Sequence, residues 1–90
     1  MPFVVYILYS AQLDGYYIGY TGDDIDMRLR KHNSNHKGYT GKVSDWVVGY
    51  TELYEDKIEA MKREKQIKGW KSRRMIETLV ARSVGSGHPD

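Results

Sequence analysis

Val4-Val5-Tyr6-Ile7-Leu8-Tyr9 is an unbroken run of β-branched, aromatic and aliphatic residues, the pattern of a β-strand. Asp14-Gly15 marks a turn, which makes Ser10 to Gly15 a loop and Tyr16-Tyr17-Ile18-Gly19-Tyr20 the returning strand of an antiparallel hairpin. Side chains alternate along a strand, so Tyr6 shares a face with Val4 and Leu8, and Tyr17 shares one with Gly19. Gly19 leaves the sheet surface open beside Tyr17, where a ligand or another backbone could approach.

Thr21-Gly22-Asp23-Asp24 then ends the hairpin and offers side chains for a helix N-cap. From Ile25 to about His32 the spacing is helical: Ile25 and Leu29 share one face, Arg28 and His32 a neighbouring one. Asn33 to Gly41 is polar and rich in turn formers, which predicts a loop. Trp46-Val47-Val48-Gly49-Tyr50-Thr51 predicts a third strand, with Glu52-Leu53-Tyr54 leading out of it. Asp56 can cap a second helix over Lys57 to Lys68, Gly69-Trp70 interrupts it, and Ser72 can cap a third. Met75, Ile76, Leu79 and Val80 give that third helix a core face, while Ser83 to Asp90 has no periodicity and reads as a frayed tail. The order β-β-α-β-α-α predicts an α+β domain over residues 1–82, a small three-stranded antiparallel sheet flanked by helices, followed by a flexible tail over 83–90.

The second helix carries the most specific departure from this pattern. At 100° per residue, Ala60, Met61, Glu64 and Ile67 fall within an arc of about 120°, so Glu64 sits inside the apolar stripe. A carboxylate there costs free energy unless it is paired or binds a cation. One reading is a salt bridge, to Lys68 four residues on or to an Arg across the core. The other is a ligand for a hard divalent ion, since Mg²⁺ takes one or two carboxylates and keeps several waters.

Charge sharpens the picture only when divided along the chain. The formal total is +2, but residues 1–56 hold five Lys/Arg against eight Asp/Glu, residues 57–74 eight against two, and residues 75–90 one against two. A basic block beside tyrosines suits a polyanion, although it would equally serve as a solvated helix face. The chain has no cysteine, which excludes a disulfide framework, a thiolate zinc site and a cysteine nucleophile, and suits a reducing cytoplasm. No apolar stretch approaches the roughly 20 residues of a membrane span, and Met1-Pro2-Phe3 puts no basic segment ahead of the apolar run, which argues against a secretory signal. His32 and His36 have a zinc-compatible spacing only if the first helix runs on, and Asn33-Ser34-Asn35 argues that it stops.

Arg28 suits bidentate binding of phosphate and His32 suits a proton transfer, though both also fit an exposed helix face. The tyrosines are ambiguous alone. With an ordinary pKa near 10, about one phenol in a thousand is ionised at neutral pH, so a tyrosine base needs a nearby cation or a metal-bound water.

Taken together, Val4-Val5-Tyr6, Tyr17-Ile18-Gly19, Arg28, His32 and Glu64 within Arg63-Glu64-Lys65-Gln66-Ile67-Lys68 resemble the motifs of the GIY-YIG endonuclease superfamily, in that order and on those elements. The resemblance runs from about Val4 to Leu79. It is strongest to the small stand-alone bacterial branch related to the nuclease module of the excision-repair protein UvrC and to intron endonucleases. It implies a single-metal phosphodiesterase acting on DNA. Tyr6, Tyr17 or both would activate or position the attacking water, Arg28 would stabilise the transition state, His32 would assist proton movement, and Glu64 would hold one Mg²⁺ or Mn²⁺.

Three departures stand out. Val4-Val5 replaces Gly-Ile, Tyr20 stands where the UvrC-type module has a lysine, and Arg73-Arg74-Met75 replaces an arginine followed by a lysine pair. On this reading Lys65, Lys68, Arg73 and Arg74 would grip single-stranded or branched DNA, with Tyr39 or Trp70 available to stack on unpaired bases. DNA repair is the setting implied, with a protein partner supplying targeting. The alternative is a nucleic-acid-binding module that keeps the scaffold but cuts little or not at all.

Overall fold

The computed structural model describes residues 2–34 and 38–86. Strand β1 (Phe3–Ser10) lies between β2 (Gly15–Thr21) and β3 (Val47–Tyr54), and both pairings are antiparallel. Helix α1 (Ile25–Ser34) follows the hairpin, a single 3-10 turn covers Thr40–Lys42, and α2 (Lys57–Gly69) and α3 (Arg73–Ser86) follow the last strand. The order β-β-α-β-α-α and the α+β class are those the sequence pattern predicts.

The unbroken apolar run of β1 has a simple cause, because this central strand is buried on both faces. Val5 and Ile7 meet Ile18, Ala60, Ile67 and Leu79 beneath α2 and α3, while Tyr6 and Leu8 meet Trp46 on the α1 side, with Ile25 and Leu29 packed around them. Val5, Ile7, Leu8 and Ile67 are completely buried, and each contributes about 1.5–3 kcal/mol of hydrophobic stabilisation.

Capping follows the sequence closely. Asp24 Oδ1 accepts the Asp26 N–H at 3.0 Å, Asp56 Oδ1 accepts the Ile58 N–H at 3.1 Å, and Ser72 Oγ accepts the Met75 N–H at 3.3 Å.

Several boundaries differ from the sequence reading. α1 continues through Asn33 and Ser34, because Asn33 spends its amide on Trp46 rather than on a local turn. Trp46 itself lies just before β3, where that amide replaces a strand partner. α2 includes Gly69, and the left-handed residue between α2 and α3 is Lys71, at φ 49°. α3 turns Ile76, Leu79 and Val80 inward and leaves Met75 45% exposed, one position off the edge of the buried stripe. It also runs to Ser86, so the first part of the segment read as a tail is helical. Residues 87–90, and His36, lie outside the described residues. Among the described residues no helix is long and apolar enough to cross a membrane.

Candidate active site

Gly19 stands opposite Tyr6 in the β1–β2 ladder, and Tyr17 stands opposite Leu8, so Tyr6, Tyr17 and Gly19 occupy one face of the sheet. What Gly19 makes room for is the Tyr6 phenol: a Cβ at position 19 would meet Tyr6 Oη at 2.6 Å. The Tyr6 and Tyr17 rings lie 6.5 Å apart, centroid to centroid.

α1 crosses this face and brings Arg28 and His32, one turn apart, to the same phenols. Tyr6 Oη and His32 Nε2 are hydrogen-bonded at 2.9 Å, and His32 Nδ1 and Thr40 Oγ1 at 3.1 Å. Thr40 is held in turn by Trp46, whose indole N–H donates to the Thr40 carbonyl at 2.9 Å. Asn33 fixes Trp46, accepting its backbone N–H at 2.8 Å and donating to its carbonyl at 3.1 Å. Thr40 thus orients the histidine directly, and Asn33 and Trp46 hold Thr40 from behind. Sequence reasoning missed them, since a polar stretch reads as loop and nothing in it signals a partner 13 residues away.

Glu64 arrives from the opposite side of the sheet. Its rotation is set by its neighbour Arg63, whose fork holds Glu52 of β3 at 2.9 and 3.0 Å. The Tyr50 and Tyr54 hydroxyls donate to the same carboxylate at 2.5 and 2.7 Å. Burial alone would raise the Glu52 carboxyl, but Arg63 and the two hydroxyls outweigh it and hold it below the usual carboxylate range. This anchored helix leaves Glu64 on the flank facing the edge strand β2.

The result is a cleft of about 380 Å³ straddling the β2 edge, with Tyr6, Tyr17, Gly19, Arg28, Lys57 and Glu64 in its walls. A neighbouring hollow of about 340 Å³ shares Tyr17 and Arg28 and adds His32, Tyr39 and Thr40. Tyr6, Tyr17, Arg28 and Glu64 therefore line one cleft, and His32, bonded to Tyr6, lines the adjoining hollow. Glu64 is paired and cleft-facing at once: Lys68 Nζ meets it at 3.0 Å, and its side chain, 14% exposed, lines the cleft. Lys57, two helical turns before Glu64 and on the same flank, also lines the cleft. That seven-residue spacing was the signal that could have found it.

Two features set the chemistry of this depression. The Arg28 Nε atom is buried and has no hydrogen-bond partner among the described residues, although buried donors are nearly always paired. Among the described residues no three His, Asp or Glu groups cluster. Glu64 thus offers a single carboxylate, a donor set that fits a hydrated hard cation completing its shell with water and a phosphate oxygen. Burial pushes the Tyr6 phenol above its ordinary pKa against the opposing pull of Arg28, so Tyr6 is protonated at neutral pH. Burial, reinforced by the Arg28 charge, pushes His32 below its ordinary value, so the imidazole is neutral.

The His32 shift has a consequence for stability. The folded ring resists protonation, so the unfolded chain binds more protons between the lowered folded pKa and the ordinary value of about 6.5. Stability is therefore complete above that window and falls as pH drops through it. Asp14, Asp45 and Glu52, whose carboxyls are held low, act only below the ordinary carboxylate range. Thermal unfolding between about pH 7.5 and 5 is expected to show a declining Tm in the wild type and a flatter profile in His32→Gln. Equal slopes in the two proteins would place the dependence on another group.

The remaining sequence candidates divide. Tyr39 stacks on Tyr17 at 6.5 Å with an interplanar angle of 21° and is 45% exposed, as a platform for a base requires. Lys68 borders the cleft through Glu64, and Lys65 is exposed on the outer side of α2. The structure does not bring Arg73 or Arg74 to this cleft. Arg73 spends its guanidinium on Asp14 at 2.6 Å and Glu77 at 2.9 Å, pinning α3 to the β1–β2 turn. Arg74 lies in a separate cleft between α2 and α3. Tyr20, at the position of the UvrC-type lysine, is half-buried in the cleft wall.

Comparison with known proteins gives a consistent result. The family described as the GIY-YIG catalytic domain matches residues 2–77. A UPF0213 protein of Staphylococcus aureus strain Mu3 is 36% identical over 67 residues, covering 73% of this chain and 80% of its own length. The UPF0213 protein of strain N315 matches to the same extent. The solution NMR structure of a UPF0213 protein from Bacillus halodurans is 36% identical, with a TM-score of 0.56 over 90% of this chain and 84% of that one.

Proposed function

The chain belongs to the GIY-YIG family, and on that premise we propose that it is a metal-dependent endonuclease that hydrolyses DNA phosphodiester bonds. The observation that carries this reading is the convergence of Tyr6, Tyr17, Arg28 and Glu64 on one cleft, with the Arg28 guanidinium in its wall. A non-bridging phosphate oxygen is the acceptor that a guanidinium suits, and charge developing there in the transition state would be met by a preorganised cation.

Proton handling falls to the Tyr6–His32 pair. A neutral imidazole donates through one nitrogen and accepts through the other. With the Nδ1–H donating to Thr40 Oγ1, Nε2 is left to accept the Tyr6 hydroxyl. Tyr6 can then take a proton from the attacking water as it passes its own to His32, which avoids a free phenolate in a buried site. Tyr17, beside both, would position that water. Glu64 would hold a single Mg²⁺ or Mn²⁺, which when bound supplies Lewis-acid neutralisation of the phosphate and of the leaving oxygen. Tyr39, stacked on Tyr17, would receive an unpaired base next to the cleaved bond, which favours single-stranded or branched DNA.

The test is a cleavage assay on single-stranded, duplex and branched DNA with Mg²⁺ or Mn²⁺ and with a chelator. Metal-dependent cutting that Arg28→Ala abolishes is the expected result. Absence of cutting on every substrate, or an Arg28→Ala variant as active as the wild type, would remove the assignment. DNA binding without cutting would instead identify a binding module.

A further inference from the structure

α2 has two flanks, and only one belongs to the cleft described above. At 100° per residue, the buried Ala60 and Ile67 mark the seam of the helix against the sheet. Lys57, Glu64 and Lys68 stand on one side of that seam and Arg63 and Trp70 on the other, with Lys62 and Lys65 on the solvent crest between them. The second flank opens on a cleft of about 450 Å³ between α2 and α3, lined by Arg63, Trp70, Arg74, Met75, Leu79 and Arg82 among others.

The composition of this second cleft is unusual for an inert surface. Its lining holds three arginines and no carboxylate. The Arg63 charge is met by Glu52, whereas Arg74 and Arg82 are exposed and have no carboxylate within salt-bridge distance among the described residues. Eight residues apart on α3, they lie about 12 Å apart along one side of the helix. Between them the floor is apolar. Trp70 is half-buried, with the Arg63 guanidinium 5.6 Å from its ring centroid, and Met75 is 45% exposed. A flat aromatic face flanked by uncompensated arginines matches a polymer that alternates planar apolar units with negative charges.

The crest joins the two clefts. From Glu64 and Lys68, a path over Lys65 and Lys62 to Arg74 meets only basic and neutral side chains on α2 apart from Glu59, which pairs with Lys62 at 3.7 Å. Crossing one helix spans about 10–12 Å, a few nucleotides of an extended strand. We propose that the α2–α3 cleft is a second nucleic-acid contact, which seats a base of an unpaired strand on Trp70 and the neighbouring phosphates on Arg74 and Arg82. The strand is the one whose phosphate occupies the catalytic cleft, so the inference rests on the nuclease reading. It accounts for Arg74, Met75 and Trp70, none of which the catalytic cleft uses.

Tryptophan fluorescence provides the test. Of the chain's two tryptophans, Trp46 is only 2% exposed but touches Tyr39, so quenching by an oligonucleotide that is present in the wild type and absent in Trp70→Phe reports Trp70. Oligothymidylate of about 12 nucleotides, within the length that one small fold engages, is titrated in chelator so that nothing is cut. Fluorescein anisotropy follows total binding. Quenching is expected in the wild type, with affinity lowered about 5- to 100-fold in Trp70→Ala and kept in Trp70→Phe. Arg74→Ala with Arg82→Ala, both at exposed positions, should flatten the logarithmic salt dependence by about 1.4, from roughly 0.7 per phosphate on a single strand.

Binding without quenching, or wild-type affinity and salt slope in the double-arginine variant, would overturn the proposal. So would a polyglutamate peptide that binds this cleft more tightly than the oligonucleotide, which would make the partner an acidic protein. Metal-dependent cutting alongside an unquenched Trp70 removes this contact only, whereas failure to bind or cut any nucleic acid removes the nuclease reading with it.

Discussion

Glu64→Gln is expected to lower metal-dependent DNA cleavage by about 10³-fold while leaving the fold and metal-free DNA binding intact. The substitution keeps the shape of the side chain and one oxygen that Lys68 can reach. It removes the charge that a hard divalent ion requires. The partner Lys68 is 49% exposed, and pairs of that kind contribute at most about 1 kcal/mol, so the Tm should move little. Binding in chelator should be unchanged or slightly tighter, because a negative charge beside the phosphate has gone. Three measurements separate the outcomes: single-turnover cleavage, oligonucleotide anisotropy and thermal unfolding. Undiminished cleavage would show that Glu64 serves only Lys68. Loss of cleavage together with a large fall in Tm would show that the carboxylate holds α2 in place.

The competition between those two roles is already visible in the sequence, and the reason is geometric. Helical periodicity puts a carboxylate within an apolar stripe, and that anomaly needs only the sequence to be recognised. The strand run Val4–Tyr9, the hairpin turn and the caps at Asp24, Asp56 and Ser72 are legible for the same reason, since each rests on interactions within a few residues. The family motifs identify Tyr6, Tyr17, Arg28 and His32, which converge in space as the resemblance implies.

Long-range pairing stays hidden. Asn33 clamps the Trp46 backbone, and Glu52 receives Arg63 from the following helix; neither pair has a spacing that would announce it. Charge misleads for a related reason. A basic block indicates where cations are dense, not which of them are already paired. Arg73, at the C-terminal end of the block, is an internal strut between α3 and the hairpin turn, while Arg82, outside the block, lines a cleft. Met75 falls on the inward face of the sequence pattern because a helical stripe read from sequence has no sharp edge, whereas among the described side chains α3 rests on Ile76, Leu79 and Val80.

Gly19→Ala is expected to destabilise the protein and to disable the site, although the same exchange at Gly69 should do neither. Adding a methyl group to a glycine normally helps a little, about 0.4–1 kcal/mol, by restricting the unfolded chain. At position 19 the new Cβ would lie 2.6 Å from Tyr6 Oη and 2.7 Å from Tyr6 Cζ, well inside van der Waals contact. The phenol has nowhere to retreat, because Tyr6 is 1% exposed and packed with Leu8 and Trp46. Overpacking of this kind costs about 1–3 kcal/mol, so it outweighs the entropic gain. At about 4–8 °C per kcal/mol for a domain of this size, the Tm should fall by roughly 4 to 20 °C. Displacing the phenol also breaks its hydrogen bond to His32, and a misplacement of about 1 Å at a reacting group costs on the order of 10²-fold in rate. Gly69→Ala is the control: that residue lies in α2, where an added methyl group would have nothing within 4 Å, and the exchange should be neutral or mildly stabilising. The cause is isolated by a double-mutant cycle with Tyr6→Ala, a background in which Gly19→Ala should cost little, since the atoms it collides with are absent. Full stability and cleavage in Gly19→Ala would mean that the hairpin accommodates the methyl group, and that the glycine is not what sets the Tyr6 phenol against His32.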